Sequence, residues 1–339
     1  MNLTRSGSPL AEADRLRSPG LATGDVGILR STILPSFTLH TTLDLAAFLA
    51  SRATDKAELK DWNWPASQVI NAWWSSVGHQ VFYNNVSPQT AWRALSWTDK
   101  TLLSLVTVWG GRLFGRIASR TLRRGADDAR YVQLKKQNPV GFWKEMLWKQ
   151  YLPEAAFLTL ISLPFTLPFR LASPSVALDT DVQAALRAFG VGLFSAGFVL
   201  EVLADRQMEE HRAEREDLCR SGVWSIVRHP NYLGDTLVHL GFAFINCATN
   251  FNPLVILGPL TNYVFLRFVG GDKMTETSQE ERYKTENLHK YDQLQEWKSK
   301  KNSFWPGFKE IVNPWTWAIV GCGVAGVVVE EGLRGWFAK

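Results

Sequence analysis

Residues 184–204 read AALRAFGVGLFSAGFVLEVLA, a predominantly apolar run with the length of a membrane span. Crossing a bilayer core of ~30 Å takes roughly 20 such residues in a helix. The run at 151–172 is of the same kind. Further segments of suitable length lie at 27–50, 66–83, 99–118, 234–250, 252–269 and 314–329. The sequence therefore predicts an all-α fold, a polytopic transmembrane helical bundle of about 6–8 spans.

The average composition conceals these segments. The mean hydropathy is −0.10, but it combines the apolar runs with a polar stretch at 1–25 and a charged stretch at 272–312. Residues 1–25 lack the apolar core of a signal peptide and are predicted to be a disordered polar leader. Residues 26–339 are predicted to form a single membrane domain.

The distribution of basic residues supports a polytopic topology. The connections after residues 118, 204 and 272 are rich in Lys and Arg, whereas the stretches 171–183 and 246–253 contain neither. Because cytoplasmic loops carry an excess of Lys and Arg, the basic connections are assigned to the cytoplasm. The net charge of +5 accompanies apolar runs rather than a free-standing basic arm. This favours membrane lipids as partners and argues against nucleic acid.

Isolated cysteines and histidines suggest little chemistry. No metal site is predicted, because the three cysteines are far apart and none has a Cys or His at metal-ligand spacing. The oligomeric state is left open. Three histidines also stand alone in the sequence, and we expect each to be packed or to lie in a loop: His40, His79 and His211.

The stretch RHPNYLGD, residues 228–235, places a dense group of polar side chains before an apolar run. Its proline suits the first turn of a helix, so the motif is predicted to open a helix on the cytoplasmic side. On that helix Arg228, Tyr232, Asp235 and His239 follow one another at spacings of 4, 3 and 4 residues, which is one face. An Asp at the centre of a lipid-facing span costs ~2.5–3.5 kcal/mol. This face is therefore predicted to point into the bundle or a watery pocket.

A second acidic group precedes the motif. Glu201 and Asp205 lie four residues apart in FVLEVLADRQ and therefore share a helix face. Ordinary roles at a helix end explain single residues: Arg228 can reach lipid phosphates, and Asn231 and Asp235 can cap the helix. A functional site explains the whole set better, because ionisable residues inside a membrane are costly and mark function.

These motifs resemble those of a known family. RHPNYLGD closely resembles the motif of the sterol reductases that saturate the carbon-14 and carbon-24 double bonds, and of the wider steroid 5-alpha-reductase-like membrane family. The resemblance covers about residues 95–310 and is closest to the family's short, uncharacterised fungal and bacterial branch. The other stretches that resemble the family are WGGRLFGRI (109–117), DARYVQLKK (128–136), ADRQ (204–207), LRFVGGDKMTE (266–276) and YDQLQEWKSKKNSFWPGF (291–308).

The resemblance implies a multi-spanning reductase of the endoplasmic-reticulum type with its cofactor site facing the cytoplasm. Such an enzyme binds NADPH and transfers hydride to an activated carbon–carbon double bond of a lipophilic substrate. By the same resemblance, Asn231 and Asp235 contact the nicotinamide carboxamide and Arg228 contacts the phosphates. Glu201 and Asp205 bind the ribose or the adenosine part.

The resemblance also implies roles for the remaining motif residues and for the C-terminal tail. Tyr232 shapes the pocket. Independently of the resemblance, hydride addition needs an acid that polarises the substrate; Tyr232 and Tyr83 are candidates, and the sequence does not choose between them. His229 is a candidate cofactor-binding residue, like its neighbours in the motif. Glu276 and Trp297 close over the adenosine end of the cofactor.

Two other functions are compatible with the sequence. RHPxY at the start of a helix also occurs in membrane methyltransferases that act on prenylcysteine and phospholipids, where the pocket holds S-adenosylmethionine. Asn231, the Gly234–Asp235 pair and Asp205 favour the reductase. A non-catalytic sterol-sensing or scaffold protein that has kept the fold is the third possibility, but a decayed site would lose its expensive buried charges first. The identity of the substrate, and the bond reduced, do not follow from the sequence.

Overall fold

The structure is a computed structural model that describes residues 26–170, 178–249 and 251–337. The predicted leader at 1–25 lies outside these residues. Helices make up most of the described backbone, and no strand occurs within those ranges. The all-α fold predicted from the apolar runs is therefore confirmed.

The helices follow one another with short connections. In chain order they are α1 (Val26–Ile28), α2 (Leu34–Thr54), α3 (Leu59–Trp73), α4 (His79–Asn84), α5 (Pro88–Ala94), α6 (Trp97–Arg124), α7 (Ala129–Gln137), α8 (Phe142–Met146), α9 (Leu152–Ile161), α10 (Leu167–Arg170), α11 (Thr180–Glu214), α12 (Pro230–Thr249), α13 (Leu257–Val264), α14 (Asp272–Glu286), α15 (Leu288–Lys300) and α16 (Pro314–Phe337). π-Helical turns lie at Leu29–Ile33, Trp74–Gly78, Leu147–Tyr151 and Phe265–Val269. 3-10 turns lie at Leu163–Phe165, Gly222–Ser225, Pro253–Ile256 and Phe308–Val312.

Four helical segments of the described chain are long and apolar enough to cross a membrane. They are Leu29–Thr54, Thr180–Glu214, Pro253–Glu286 and Pro314–Phe337, and each overlaps a span predicted from the sequence. The other four predicted segments are helical over most of their length but do not meet both conditions. The four apolar segments indicate a membrane-embedded protein.

The predicted span at 151–172 is not one continuous helix. α9 ends at Ile161, and a 3-10 turn at Leu163–Phe165 follows before the short α10. Two prolines, Pro164 and Pro168, lie in this stretch. A proline removes a backbone N–H and clashes with the carbonyl four residues earlier, which accounts for the break after Ile161.

The chain is grouped into two compact units. The first comprises Met1–Leu178 with Thr249–Val255, and the second comprises Asp179–Ala248 with Ile256–Lys339. The sequence-based assignment of 26–339 to one domain stays a prediction. The motif RHPNYLGD and the acidic pair that precedes it both belong to the second unit.

In the first unit, α3 packs against α2 and α6, and α9 packs against α2. The start of α3 is fastened by α7. The hydroxyl of Tyr131 donates a hydrogen bond to Asp61 Oδ1 at 2.6 Å, and Arg130 donates to Asp61 Oδ2 at 3.0 Å. Tyr131 is buried, so this contact is shielded from solvent and stabilises the unit.

Removing the Tyr131 hydroxyl tests this contact. We expect Tyr131→Phe to lower the free energy of unfolding by about 1–3 kcal/mol, because a largely buried carboxylate oxygen loses its donor. Thermal unfolding of the detergent-solubilised chain measures the loss. The control is Tyr83→Phe, because Tyr83 is 62% exposed and its replacement is expected to change stability by less than about 0.5 kcal/mol. Equal effects of the two variants would contradict this account.

In the second unit, glycines allow two long helices to approach closely. A Cβ placed on Gly234 of α12 would lie 2.6 Å from the carbonyl oxygen of Gly197 on α11 and 2.9 Å from the backbone nitrogen of Glu201. The contact recurs seven residues along each helix, where a Cβ on Gly241 would lie 2.7 Å from the carbonyl oxygen of Gly190. Any larger residue would force the backbones apart. The crossing therefore fixes Glu201 relative to the motif.

Helix α16 covers another side of α11. A Cβ on Gly323 would lie 2.9 Å from the carbonyl oxygen of Gly192, so these helices also approach through glycine. Toward the C-terminal end of α16, Arg187 of α11 pairs with Glu330 at 3.3 Å and with Glu331 at 2.8 Å. The rest of α16 is mostly apolar and exposed, which suits a surface that faces lipid.

Candidate functional site

The motif opens α12 as predicted. Pro230 is the first residue of this helix, and the two residues before it pair with a later segment. The backbone N–H of Arg228 donates to the carbonyl of Asn302 at 3.1 Å, and that of His229 donates to the carbonyl of Ser303 at 2.9 Å. The segment after α15 is thereby fastened to the start of α12.

The side chain of Arg228 makes four hydrogen bonds within the second unit. Its Nε and Nη2 donate to the two oxygens of Glu276 at 2.9 and 3.1 Å, the bidentate pairing that the planar guanidinium favours. Its Nη1 donates to the carbonyl oxygens of Lys298 and Lys301 at 3.2 and 2.8 Å. Arg228 and Glu276 are both buried. The guanidinium therefore joins the start of α12 to α14 and to the end of α15.

His229 and Tyr232 complete this group. His229 Nε2 lies 2.9 Å from Glu276 Oε1, and the His229 ring stacks on Tyr232 with centroids 5.2 Å apart and planes 21° apart. The Tyr232 hydroxyl lies 3.1 Å from Thr275 Oγ1. Four residues predicted from the sequence are thus brought together as what we call the Glu276 cluster: Arg228, His229, Tyr232 and Glu276.

Lys298 extends the Glu276 cluster toward the surface. Its Nζ lies 3.4 Å from Glu276 Oε2 and also pairs with Glu280. Burial alone would lower the pKa of the Lys298 ammonium. The carboxylates of Glu280 and Glu276 have the larger, opposite effect, so the pKa lies above its ordinary value. Glu276 therefore contacts three basic side chains, which offset the cost of burying its carboxylate.

Asp235 lies in a second buried polar group. Its Oδ2 accepts a hydrogen bond from Asn262 Nδ2 at 2.9 Å, and His239 Nδ1 lies 2.9 Å from its backbone carbonyl oxygen. Asp235, His239 and Asn262 are all buried. Sequence reasoning missed Asn262, which comes from α13. The sequence signal that could have identified Asn262 is the presence of an amide side chain within the apolar stretch 252–269.

Several buried oxygens of α12 and α13 lack a hydrogen-bond partner among the described residues. They are Asn231 Oδ1, Thr236 Oγ1 and Asn262 Oδ1. An unpaired buried polar atom costs about 1–3 kcal/mol, and native proteins usually satisfy such atoms with protein groups, water or a ligand. This part of α12 is therefore suited to a ligand that donates hydrogen bonds.

The acidic pair predicted from the sequence lies on α11. Glu201 and Asp205 are both buried, and the close approach of α11 and α12 sets Glu201 against α12. Further along, Gln207 accepts a hydrogen bond from the N–H of Val223 at 2.9 Å. Gly222 has a φ of 65°, and a Cβ there would collide with Gln207. The ADRQ stretch therefore also holds the turn that precedes the motif.

Trp297 lies in the packing behind the motif. Its ring centroid is 6.5 Å from that of Trp224, whose Nε1 donates to the carbonyl of Ala204 at 3.0 Å. The predicted contact of Trp297 with an adenosine stays a prediction. Tyr83, the other candidate acid, belongs to the first unit and is exposed.

No set of three or more His, Cys, Asp or Glu side chains in the described ranges is arranged to hold a metal ion. The start of α12 instead presents unpaired hydrogen-bond acceptors. Arg228, just before the helix, is already paired with the carboxylate of Glu276. Such groups suit an organic ligand with polar ends.

Comparison with known proteins places the chain in a family. A family model described as a protein of unknown function, DUF1295, matches residues 47–296, which is more than half of the chain and includes the motif. Neither the curated proteins nor the solved structures contain a match. The chain therefore belongs to the DUF1295 family.

Proposed function

We propose that this protein is a membrane-embedded, NADPH-dependent reductase of a carbon–carbon double bond in a steroid-like or other lipophilic substrate. The observation that carries the proposal is the buried, unpaired Oδ1 of Asn231, one helical turn from the Asp235–Asn262 pair. The resemblance of RHPNYLGD to the sterol reductase motif supports it.

The nicotinamide end of the cofactor fits these residues. A carboxamide offers two N–H donors and one acceptor oxygen. Asn231 offers an unpaired acceptor together with amide donors, and Asp235 offers carboxylate acceptors held in place by Asn262. In our proposal Asn231 and Asp235 bind the carboxamide, and Asn262 positions Asp235. When bound, NADPH supplies the hydride.

For Arg228 we propose a role other than the phosphate contact that the resemblance implies. Four of its hydrogen bonds already go to Glu276 and to two backbone carbonyls, so a phosphate would have to displace them. We therefore propose that Arg228 positions Glu276 and the start of α12. Glu276 and Trp297 stay the residues proposed for the adenosine end.

The acidic pair and the motif tyrosine complete the proposal. Glu201 and Asp205 are buried carboxylates, which suit the hydroxyl groups of a ribose as hydrogen-bond acceptors. Reduction of a double bond adds a proton to one carbon and a hydride to the other. Tyr232 is the proposed proton donor, because its ring is fixed by His229 and its hydroxyl is hydrogen-bonded to Thr275.

The cellular location is part of the same proposal. The basic connection between α11 and α12 favours the cytoplasmic side for the motif by the positive-inside rule. The family resemblance supports the endoplasmic reticulum. The substrate then reaches the protein from the membrane and the cofactor from the cytoplasm.

Ligand-induced stabilisation distinguishes the reductase from a methyltransferase. A ligand at 100 times its dissociation constant adds about 2.7 kcal/mol to the free energy of unfolding. We expect NADPH, and not S-adenosylmethionine, to raise the unfolding temperature of the detergent-solubilised chain. Asn231→Ala and Asp235→Asn are expected to abolish the shift.

The control for these variants is Asp292→Asn, because Asp292 is an exposed carboxylate on α15. It is expected to keep the full shift with NADPH. Stabilisation by S-adenosylmethionine alone would overturn the reductase in favour of the methyltransferase. Stabilisation by NADPH that survives in both motif variants would place the cofactor elsewhere.

A further inference from the structure

The first unit contains a second buried polar region, which sequence reasoning did not find. On α2, which lies within a candidate membrane span, buried polar side chains recur every fourth residue at Ser36, His40 and Asp44. Helices α3 and α9 pack on α2 and contribute buried polar side chains of their own. Together with the half-buried Asn63, this group is what we call the polar seam: Ser36, His40, Asp44, Lys60, Gln68, Asn71, Glu154 and Ser162.

One end of the polar seam is ordered by Asn71. Its Nδ2 lies 3.1 Å from His40 Nε2 and donates to Ser162 Oγ at 3.1 Å, while its Oδ1 accepts from Ser36 Oγ at 3.4 Å. Because an amide nitrogen can only donate, His40 Nε2 must accept, and the histidine proton lies on Nδ1. His40 is therefore neutral and presents an N–H donor.

The other end of the polar seam carries the charges. Lys60 forms an ion pair with Glu154, and Asn63 donates to Asp44 Oδ1 at 2.6 Å. Asp44 also interacts electrostatically with both Glu154 and Lys60. Since Lys60 is already neutralised by Glu154, an ionised Asp44 would add a negative charge with no cation of its own.

Four polar atoms of the polar seam have no hydrogen-bond partner among the described residues. His40 Nδ1 is a donor, and the other three are carboxylate or amide oxygens. Exposure of the side chains concerned is 0% for His40, Asp44 and Gln68 and 2% for Glu154. The unpaired oxygens are Asp44 Oδ2, Gln68 Oε1 and Glu154 Oε1.

We propose that the polar seam is an intramembrane proton-binding site in which Asp44 carries the proton at neutral pH. A proton on Asp44 removes the uncompensated charge. It also converts the unpaired acceptor Asp44 Oδ2 into a donor, in a region that contains two unpaired acceptor oxygens, Glu154 Oε1 and Gln68 Oε1. Ionisable side chains within membrane spans commonly form proton sites of this kind.

The charged and titratable groups that face Asp44 are consistent with one proton. His40 on the same helix is neutral, and Lys60 and Glu154 neutralise each other. The hydroxyl of Tyr151 donates a hydrogen bond to Ser51 Oγ at 2.7 Å. Asp61 at the start of α3 is paired with Arg130 and Tyr131, as described above. None of these groups supplies an uncompensated positive charge that could pair with an ionised Asp44.

Infrared spectroscopy of the full chain in lipid nanodiscs tests the proposal. A protonated carboxyl group has a carbonyl stretch that an ionised carboxylate lacks, and ordinary aspartates, with a pKa of about 3.9, are ionised at pH 7. We expect the unmodified chain to show this band at pH 7. Carbon-13 labelling of aspartate carboxyls should shift it, and Asp44→Asn should remove the intensity of one carboxyl group.

Two further variants keep the test decisive. Asp55→Asn changes a carboxylate whose side chain is 72% exposed and should leave the band unchanged. Asp44→Glu keeps a carboxyl group, but the band of that group should no longer shift when aspartate is labelled with carbon-13. This variant covers the case in which Asp44→Asn does not fold. An unmodified chain without an aspartate-sensitive band, or a band of unchanged intensity in Asp44→Asn, would overturn the proposal.

Discussion

Replacing Glu276 with glutamine is expected to destabilise the protein by about 3–5 kcal/mol, the cost of breaking a buried ion pair by removing one partner. Glu276 receives two hydrogen bonds from Arg228, contacts His229 and lies near Lys298. Without its charge, the buried guanidinium of Arg228 is left without compensation. The expected loss is measured as a lower midpoint of thermal or denaturant unfolding.

Glu280 offers a matched control one helical turn away. It pairs with Lys298, but its side chain is 33% exposed, and exposed ion pairs contribute about 0–1 kcal/mol. Glu280→Gln is therefore expected to have a small effect. If Glu280→Gln lowered the free energy of unfolding as much as Glu276→Gln, the buried Arg228–Glu276 pair would contribute no more to stability than an exposed ion pair.

Replacing Gly234 with alanine is expected to cost about 1–3 kcal/mol, the usual penalty for forcing an extra carbon into a packed contact. The new Cβ would lie 2.6 Å from the carbonyl oxygen of Gly197 and 2.9 Å from the backbone nitrogen of Glu201. Both atoms belong to the backbone of α11, so the helices themselves have to separate. Because Glu201 and Asp235 lie at this crossing, stabilisation by NADPH should fall together with stability.

The control for this variant is Gly321→Ala on α16, where a Cβ would meet nothing within 4 Å. Alanine has a higher helix propensity than glycine by about 1 kcal/mol, so this variant should be neutral or more stable. Unfolding midpoints of the two variants, with and without NADPH, provide the comparison. If Gly234→Ala behaved like Gly321→Ala, the close helix crossing would be refuted.

Local features of the site followed from the sequence. The proline of RHPNYLGD begins α12 as its position predicted, and Glu201 and Asp205 lie on one buried face because residues four apart share a face. These inferences depend only on neighbours in the chain. The apolar runs likewise predicted the four candidate spans.

Contacts between distant parts of the chain did not follow from the sequence. Glu276 lies 48 residues from Arg228. Nothing in the local pattern indicates that Arg228 pairs with this carboxylate rather than with a phosphate. Asn262 and Asp235 are 27 residues apart. His40 was isolated in the sequence, and only the packing of α3 on α2 brings Asn71 to it. Pairing of this kind depends on helix packing, which periodicity alone does not specify.

The most direct test of the proposed function follows the hydride. Membranes containing the full chain are incubated with NADPH deuterated at carbon 4, both stereoisomers being present, and with S-adenosylmethionine carrying a labelled methyl group. Mass spectrometry of the extracted lipids then identifies the label transferred. We expect a lipid that has gained one deuterium and one ordinary hydrogen, and no such product with Asn231→Ala. A lipid that gains the labelled methyl group while none gains deuterium would contradict the account.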